Sequence, residues 1–363
     1  MKTLAEIEHG EGGVPLPAGQ NGTSTPPVLH FGNPQEEYQA ATTGCAVFDV
    51  SDAPLIELSG RDRVTFLHNF CTADIRRLPP GEGCEAFLTD VRGRLLAFLL
   101  VSATEDSLWL SSLLMDEEAV LAHLDRYLIT EDVTLTSRTS QVGQLYLSGA
   151  QSAAVLEQLG VPVGPLQKFG QHCQADTSAG ELSVQRTDLL GPPGYLLSVA
   201  RPELAALWEI LKSLNARPAG AAAFHTLRIE AGLPLYGIDL SSEQIAQEAA
   251  RTSRAISFTK GCYLGQEPIA RLDALGHTNR ELRGIRLLTP GLPVAGAAVR
   301  DETGTAEAGQ ITSASRLDDE QPAVALAVLK NRFGTPASRV QVTLADGSTA
   351  AGEVFWPLQA GPH

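Results

Sequence analysis

The chain has 363 residues, 43% of them hydrophobic and 19% charged, enough for two or three domains with real cores and the composition of an ordinary soluble globular protein. Lys and Arg number 27 against 42 Asp and Glu, a net charge of −15, and no run of like charges builds a basic patch; such a surface repels phosphate backbones and argues against direct binding of DNA or RNA. The five cysteines, Cys45, Cys71, Cys84, Cys173 and Cys262, are widely spaced with no CxxC, which argues against a disulfide framework or a complete zinc or iron–sulfur site and fits a reducing compartment.

The opening MKTLAEIEHGEGG lacks the apolar core of a secretory signal and is too acidic for a transit peptide. No apolar run approaches ~18 residues, so a cytoplasmic protein without membrane attachment is expected. Residues 10–33, rich in Gly, Pro, Thr and Ser, read as an extended arm. PLIELSG (54–60) and GRLLAFLLVSA (93–103) have the texture of strands, and the three-residue spacing of Val64, Leu67 and Phe70 predicts a helix over 60–70. MDEEAVLAHLDRYLI (115–129) is an amphipathic helix with Asp116 at its N-cap. From 144 to 220 the order is strand, helix, two strands, helix, a small α+β unit. Beyond Arg280, short strands separated by turns such as DETG and ADG predict an all-β barrel or sandwich.

Two stretches carry chemistry. In KGCYLGQE (260–267), Cys262 lies in a glycine-containing loop just ahead of a helix that holds Pro268 in its first turn and stops at Gly276. The helix N-terminus and Lys260 would both favour the thiolate. Gly261 and Gly265 allow close approach of a ligand, and Tyr263, Gln266 and Glu267 supply polar groups. The residues alone leave two readings open: a reactive or metal-coordinating thiol, or a small buried hydrophobe in a tight turn. The second stretch, FHTLRIEAGLPLYGIDLSSEQIAQEA (224–249), crowds Arg228, Glu230, Tyr236, Asp239 and Glu248 into a segment broken by Gly232, Pro234 and Gly237, with Phe224 as a stacking face. Arg suits carboxylates and planar rings, and the acids can accept from a heterocycle's amino and N–H groups. The alternative is a solvated helix face and a structural turn. His68, His277 and the other four cysteines are expected to be structural.

KGCYLGQE, with ISFTKG and RIEAGLPLYGID ahead of it, resembles the YgfZ branch of the glycine-cleavage T-protein (aminomethyltransferase) superfamily. Residues 43–75, RTDLLGPPGYLLSV (186–199) and the closing stretch with ALAVLK resemble that superfamily too, so the similarity covers about 36–358. The resemblance implies an α+β protein of three domains in a ring around a central folate channel. A flexible arm over 1–35 would precede a discontinuous folate-binding domain over 36–138 plus 221–279. A small ferredoxin-like domain would span 139–220, and a β-barrel 280–358. It further implies binding of tetrahydrofolate or a derivative, and support of iron–sulfur client or assembly proteins, including enzymes that modify tRNA. Cys262 inherits the functional role, with Lys260 beside it. No permanently bound metal is implied, although Cys262 could serve as a transient ligand. Arg228 and Phe224 match folate contacts of the superfamily in position, and Glu230, Tyr236 and Glu248 complete the candidate folate-binding set, with Glu230 or Glu248 as groups that would hold the ring.

The departures are equally informative. T-proteins carry an aspartate pair needed for methylene transfer where this chain has Ala97 and Phe98, and neither side chain can move a proton. A pterin-gripping glutamate is matched by Leu196, and Pro192–Pro193 replaces an acidic pair. The residues therefore favour a folate-dependent accessory factor for iron–sulfur proteins. The alternatives are a folate-dependent methyl or aminomethyl transferase using Glu230, Asp239 or Glu267, and a non-catalytic folate-sensing scaffold.

Overall fold

The computed structural model describes residues 3–16, 26–191, 193–276 and 278–356. Pro192, His277, residues 17–25 of the expected arm and the last two residues of the expected barrel lie outside the described residues. The chain forms two compact units. The first draws on 1–67, 75–85 and 99–224, and the second on 68–74, 86–98 and 225–363. The stretch 139–220, expected as a small domain, falls within the first unit.

In the first unit a six-stranded sheet runs in the order His172–Thr177, Gly180–Thr187, Gly194–Ala200, Val142–Ser148, Ala46–Asp49, Arg217–Pro218. Its pairs are antiparallel except the last, which is parallel. Side chains alternate across the sheet. Leu145, Leu147, Leu182, Val184, Leu197 and Val199 share one buried core with Leu204, Leu207, Trp208 and Leu211 of the helix Leu204–Ser213. Those helix positions follow the i, i+3, i+4, i+7 spacing of an apolar stripe, each worth roughly 1.5–3 kcal/mol when buried. The residues between them on the strands, Gln144, Ser183, Gln185, Leu196 and Ser198, face the other way. That polar face positions a cavity described below.

A five-stranded sheet follows the order Gly83–Thr89, Leu95–Ala103, Ser107–Ser111, Leu55–Ser59, Thr134–Ser137. The tip of its first hairpin, residues 86–98, belongs to the second unit. The predicted helices appear as Arg63–Phe70 and Glu117–Asp125, the latter with Asp116 accepting from the Ala119 N–H at 2.9 Å. At the N-terminus, residues expected to be an arm form the helix Leu4–Gly10. A capping box between Thr3 and Glu6 closes its start, and Leu4 reaches the core of the first unit. The strands Val14–Pro15 and Val28–His30 then pair.

The second unit ends in a closed six-stranded barrel ordered Arg280–Leu287, Val324–Lys330, Glu307–Ser315, Ala298–Asp301, Arg339–Thr343, Thr349–Phe355. Closure leaves no unpaired strand edge, and Ile285, Val299, Ile311, Leu329, Val340 and Val354 fill the interior. Mixed α+β content with a C-terminal barrel is the expected fold class. Among the described residues no helix is long and apolar enough to cross a membrane.

Candidate functional site

The loop around Cys262 is pinned from several sides, all within the second unit. Lys260 is buried, and its ammonium donates to the carbonyls of His68, Cys71 and Ala73 at 2.6, 2.7 and 2.7 Å. The same ammonium lies 4.8 Å from the centre of the Tyr263 ring, a cation–π contact. Tyr263 is itself buried, and burial, with a smaller contribution from Cys71, pushes its phenol up to about 12. The Leu264 N–H donates to the Asn69 carbonyl at 2.8 Å, and the Thr89 hydroxyl donates to the Leu264 carbonyl at 2.8 Å. Gly265 has φ +83°, and a Cβ there would lie 2.3 Å from the Asp90 carbonyl oxygen, so no other residue fits without moving backbone. The helix Gln266–Leu275 starts directly after it.

Cys262 is exposed, as is Gly261, whose position opens on free space, and Glu267 also faces solvent while Gln266 is half-buried. The motif thus divides. Lys260, Tyr263, Leu264 and Gly265 hold the backbone, and Cys262 is presented outward from it. Cys45 and Cys71, by contrast, are buried; burial pushes the Cys45 thiol up to about 11 and raises that of Cys71. Cys84 and Cys173 are half-buried. Among the described residues no cluster of three or more His, Cys, Asp or Glu side chains could hold a metal ion.

The second constellation takes a different form. Arg228 is buried and donates to Asp239 at 2.9 Å, to the Leu233 carbonyl at 3.3 Å and to His225 Nδ1 at 2.9 Å. Burial, then the Arg228 charge, push the His225 imidazole down to about 3, so it stays neutral and accepts from the guanidinium. Asp239 also accepts from the hydroxyls of Thr312 and Ser313, 2.6 Å each, which ties this segment to the barrel strand Glu307–Ser315. Glu230 and Glu248 pair with Arg286 and Arg280 of the strand Arg280–Leu287, at 3.5 and 3.0 Å. The Tyr236 hydroxyl donates to the Leu95 carbonyl at 3.1 Å. In the first unit, Phe224 is buried edge-on against Phe48 at 5.4 Å. The structure therefore brings Arg228 and Asp239 together, and places Phe224, Glu230, Tyr236 and Glu248 in separate contacts.

Ala97 and Phe98 are buried. The Phe98 ring packs 5.2 Å from Phe87 and 5.7 Å from the Arg251 guanidinium. An aromatic contact occupies the place where the resemblance puts a carboxylate pair.

Sequence reasoning missed a cavity of about 240 Å³ inside the first unit. Leu196 lines it, with Gln144 and Ser198 from the six-stranded sheet and Ser102 and Trp109 from the five-stranded one. The amide of Gln144 donates to Ser198 Oγ at 3.1 Å, and that of Gln185 to Ser102 Oγ at 2.7 Å. The available signal was phase: Gln144, Ser183, Gln185 and Ser198 stand at strand positions that alternate with Leu145, Leu182, Val184, Leu197 and Val199.

Mixed α+β layers ending in a closed barrel, with an outward cysteine on a pinned loop, define the class to which the comparisons then give a family. Residues 27–260 match the family model described as the GCVT N-terminal domain, and the chain belongs to that family. It is 29% identical over 314 residues to an aminomethyltransferase of Exiguobacterium sibiricum, covering 85% of this chain and 84% of that one. It is 28% identical over 267 residues to a chloroplastic transferase-like protein of Arabidopsis thaliana; the match spans 73% of this chain and 62% of that longer protein. The crystal structure of the glycine cleavage system aminomethyltransferase T from Bartonella henselae superposes with a TM-score of 0.83 at 24% identity, covering 99% of this chain and 98% of the other, a likeness of fold.

Proposed function

We propose that this protein is a folate-binding accessory factor of the YgfZ branch, which supports assembly or repair of iron–sulfur enzymes, tRNA-modifying ones among them, through the thiol of Cys262. The observation that carries this reading is the division within KGCYLGQE: neighbouring residues anchor the loop, and the cysteine faces solvent. A sulfur fixed in place but open to solvent suits a group that acts on a partner molecule. One thiolate cannot hold a cluster that normally takes about four protein ligands. Cys262 would therefore act transiently, as a ligand shared with a client, a redox thiol, or a nucleophile toward a folate-borne carbon. Tetrahydrofolate or a derivative is the proposed cofactor, and the cytoplasm the proposed site of action. The buried Ala97 and Phe98 support an accessory role over aminomethyl transfer, because neither provides a proton carrier.

The test is complementation in a cell lacking its own copy of the gene, scored by the activity of an iron–sulfur enzyme. Cys262→Ala should fold and bind tetrahydrofolate as the parent does, since exposed substitutions usually change stability by less than about 0.5 kcal/mol, yet restore no activity. Full rescue by Cys262→Ala overturns the proposal.

A further inference from the structure

A second cavity of the first unit, about 870 Å³, opens beside the helix Leu4–Gly10, the start of the helix Leu204–Ser213 and the end of the strand Ala46–Asp49. Its lining divides by chemistry. Leu4, Leu204 and Ala205 make an apolar wall, while Asp49, Ser51, Asp52 and Arg201 form a linked polar group. Arg201 is fixed by Nη2, which donates to the carbonyls of Ser51 and Thr139 at 2.5 and 2.8 Å. Its other two nitrogens are under-used. Nε is buried with no partner, and Nη1 meets only the exposed Asp52, at 3.9 Å, beyond hydrogen-bond reach. A guanidinium held in place with Nη1 unspent suits a carboxylate. Asp49, 4% exposed, is the opposite case. Its carboxyl accepts from the Ser51 N–H at 2.8 Å and pairs with no Lys, Arg or His among the described residues. Burial lifts it to about 6, against the Ser51 hydrogen bonds, so at neutral pH it holds a buried charge that an ammonium would offset. Glu8 nearby, lifted to about 8 by burial and then by Asp49 and Asp52, keeps its proton at neutral pH and adds no second charge. Asp49 Oδ1 and Arg201 Nη2 are bridged by the N–H and C=O of one residue, Ser51, which sets a cation site and an anion site one small molecule apart.

We infer that this cavity binds a free α-amino acid with a large apolar side chain. Its ammonium donates to Asp49, its carboxylate accepts from Arg201 Nη1, and its side chain lies against Leu4, Leu204 and Ala205. Neither charge serves alone: a bare amine meets the repulsion of Arg201, and a bare carboxylate that of Asp49 and Asp52. The volume lies within the roughly 300–1,000 Å³ of pockets that enclose ligands, far more than the charged head alone needs, which is why the side chain is large. The assignment stands independently of the folate reading.

Calorimetric titration of the full chain at neutral pH tests this with L-phenylalanine, phenethylamine, 3-phenylpropionate and glycine. The last three each lack one of the three contacts, so the parent should bind L-phenylalanine about tenfold or more tighter than any of them. Asp49→Asn removes the charge at nearly the same shape and should weaken L-phenylalanine by about tenfold while leaving 3-phenylpropionate no weaker. Ala5→Trp, at an exposed position on the cavity wall, should block the site without touching either charge. Melting curves check that both variants fold. No binding of L-phenylalanine by the parent overturns the inference, as does phenethylamine or 3-phenylpropionate binding as tightly. L-phenylalanine binding unchanged in folded Asp49→Asn also overturns it; should that variant not fold, unchanged binding in Ala5→Trp does so.

Discussion

Lys260 has three N–H donors and meets three main-chain carbonyls, so each proton of the ammonium has a partner. Those carbonyls belong to residues 187 to 192 positions earlier in the chain. From the sequence, a lysine two places before a cysteine reads as a cation that activates the thiol; the structure turns the side chain inward, as a strut under the loop. What was legible was the permissive backbone, and Gly265 with its positive φ accounts for it. The direction of the lysine was not, because it depends on a segment remote in sequence. Lys260→Met keeps much of the apolar stem and removes the donors, leaving three carbonyls short of a partner. The variant should lose about 3 kcal/mol, read as a fall in the denaturant midpoint at unchanged slope. A loss below about 0.5 kcal/mol would mean that Tyr263 and the Leu264 hydrogen bonds hold the loop without it.

The helix Leu4–Gly10 shows the same dependence at the level of an element. Its capping box is written locally in Thr3 and Glu6, but its docking uses Glu11 against Trp208 and Lys212, some 200 residues away. Composition therefore suggested an arm where the described residues form a seated helix. Glu8, buried by that seating, is pushed up to about 8 by desolvation first and then by Asp49 and Asp52; Asp49 is itself raised to about 6, chiefly by burial, with Arg201 opposing. The unfolded carboxyl ionises near its ordinary 4.5, the docked one near 8. Because the folded pKa of an acid is raised, docking is strongest at low pH, weakens as pH climbs between those values, and levels off above about 8. Hydrogen exchange of residues 4–10, corrected for intrinsic rates, should be better protected at pH 6 than at pH 9. Glu8→Gln should abolish most of that difference. Equal protection at both pH values in the parent would refute the burial of an uncharged Glu8. Strand phase, in contrast, was fully legible: Leu145 and Leu147 alternate with Gln144 and Tyr146, and only the pairing of Gln144 with Ser198 needed coordinates.

At the level of the molecule, the fold class followed from ordered textures, helices and strands first and short β-segments last. Its family was legible because stretches spread along the chain, residues 43–75 and 186–199 among them, resemble that superfamily, and the family model matches residues 27–260. The cavity was not, since its walls come from two sheets whose lining residues are spread from Leu55 to Ala200. The proposed accessory role would set this protein apart from the aminomethyltransferases it is similar to. With Phe98 packed under Arg251 and Ala97 buried, purified protein given aminomethyl donors and tetrahydrofolate should form no methylene-tetrahydrofolate above a protein-free blank. Turnover that tracked protein concentration would restore the transferase alternative.

The five chain crossings between the two units have a consequence for biosynthesis. Residues 68–74 and 86–98 leave the ribosome early, yet their companions begin only at residue 225. At about 5–20 residues per second, Phe87, Leu88 and Leu95, all sealed in the finished protein, wait on the order of ten seconds for cover. No single cut yields two self-sufficient fragments, and a nascent chain stalled near its midpoint would carry a sticky hairpin tip for chaperones to shield.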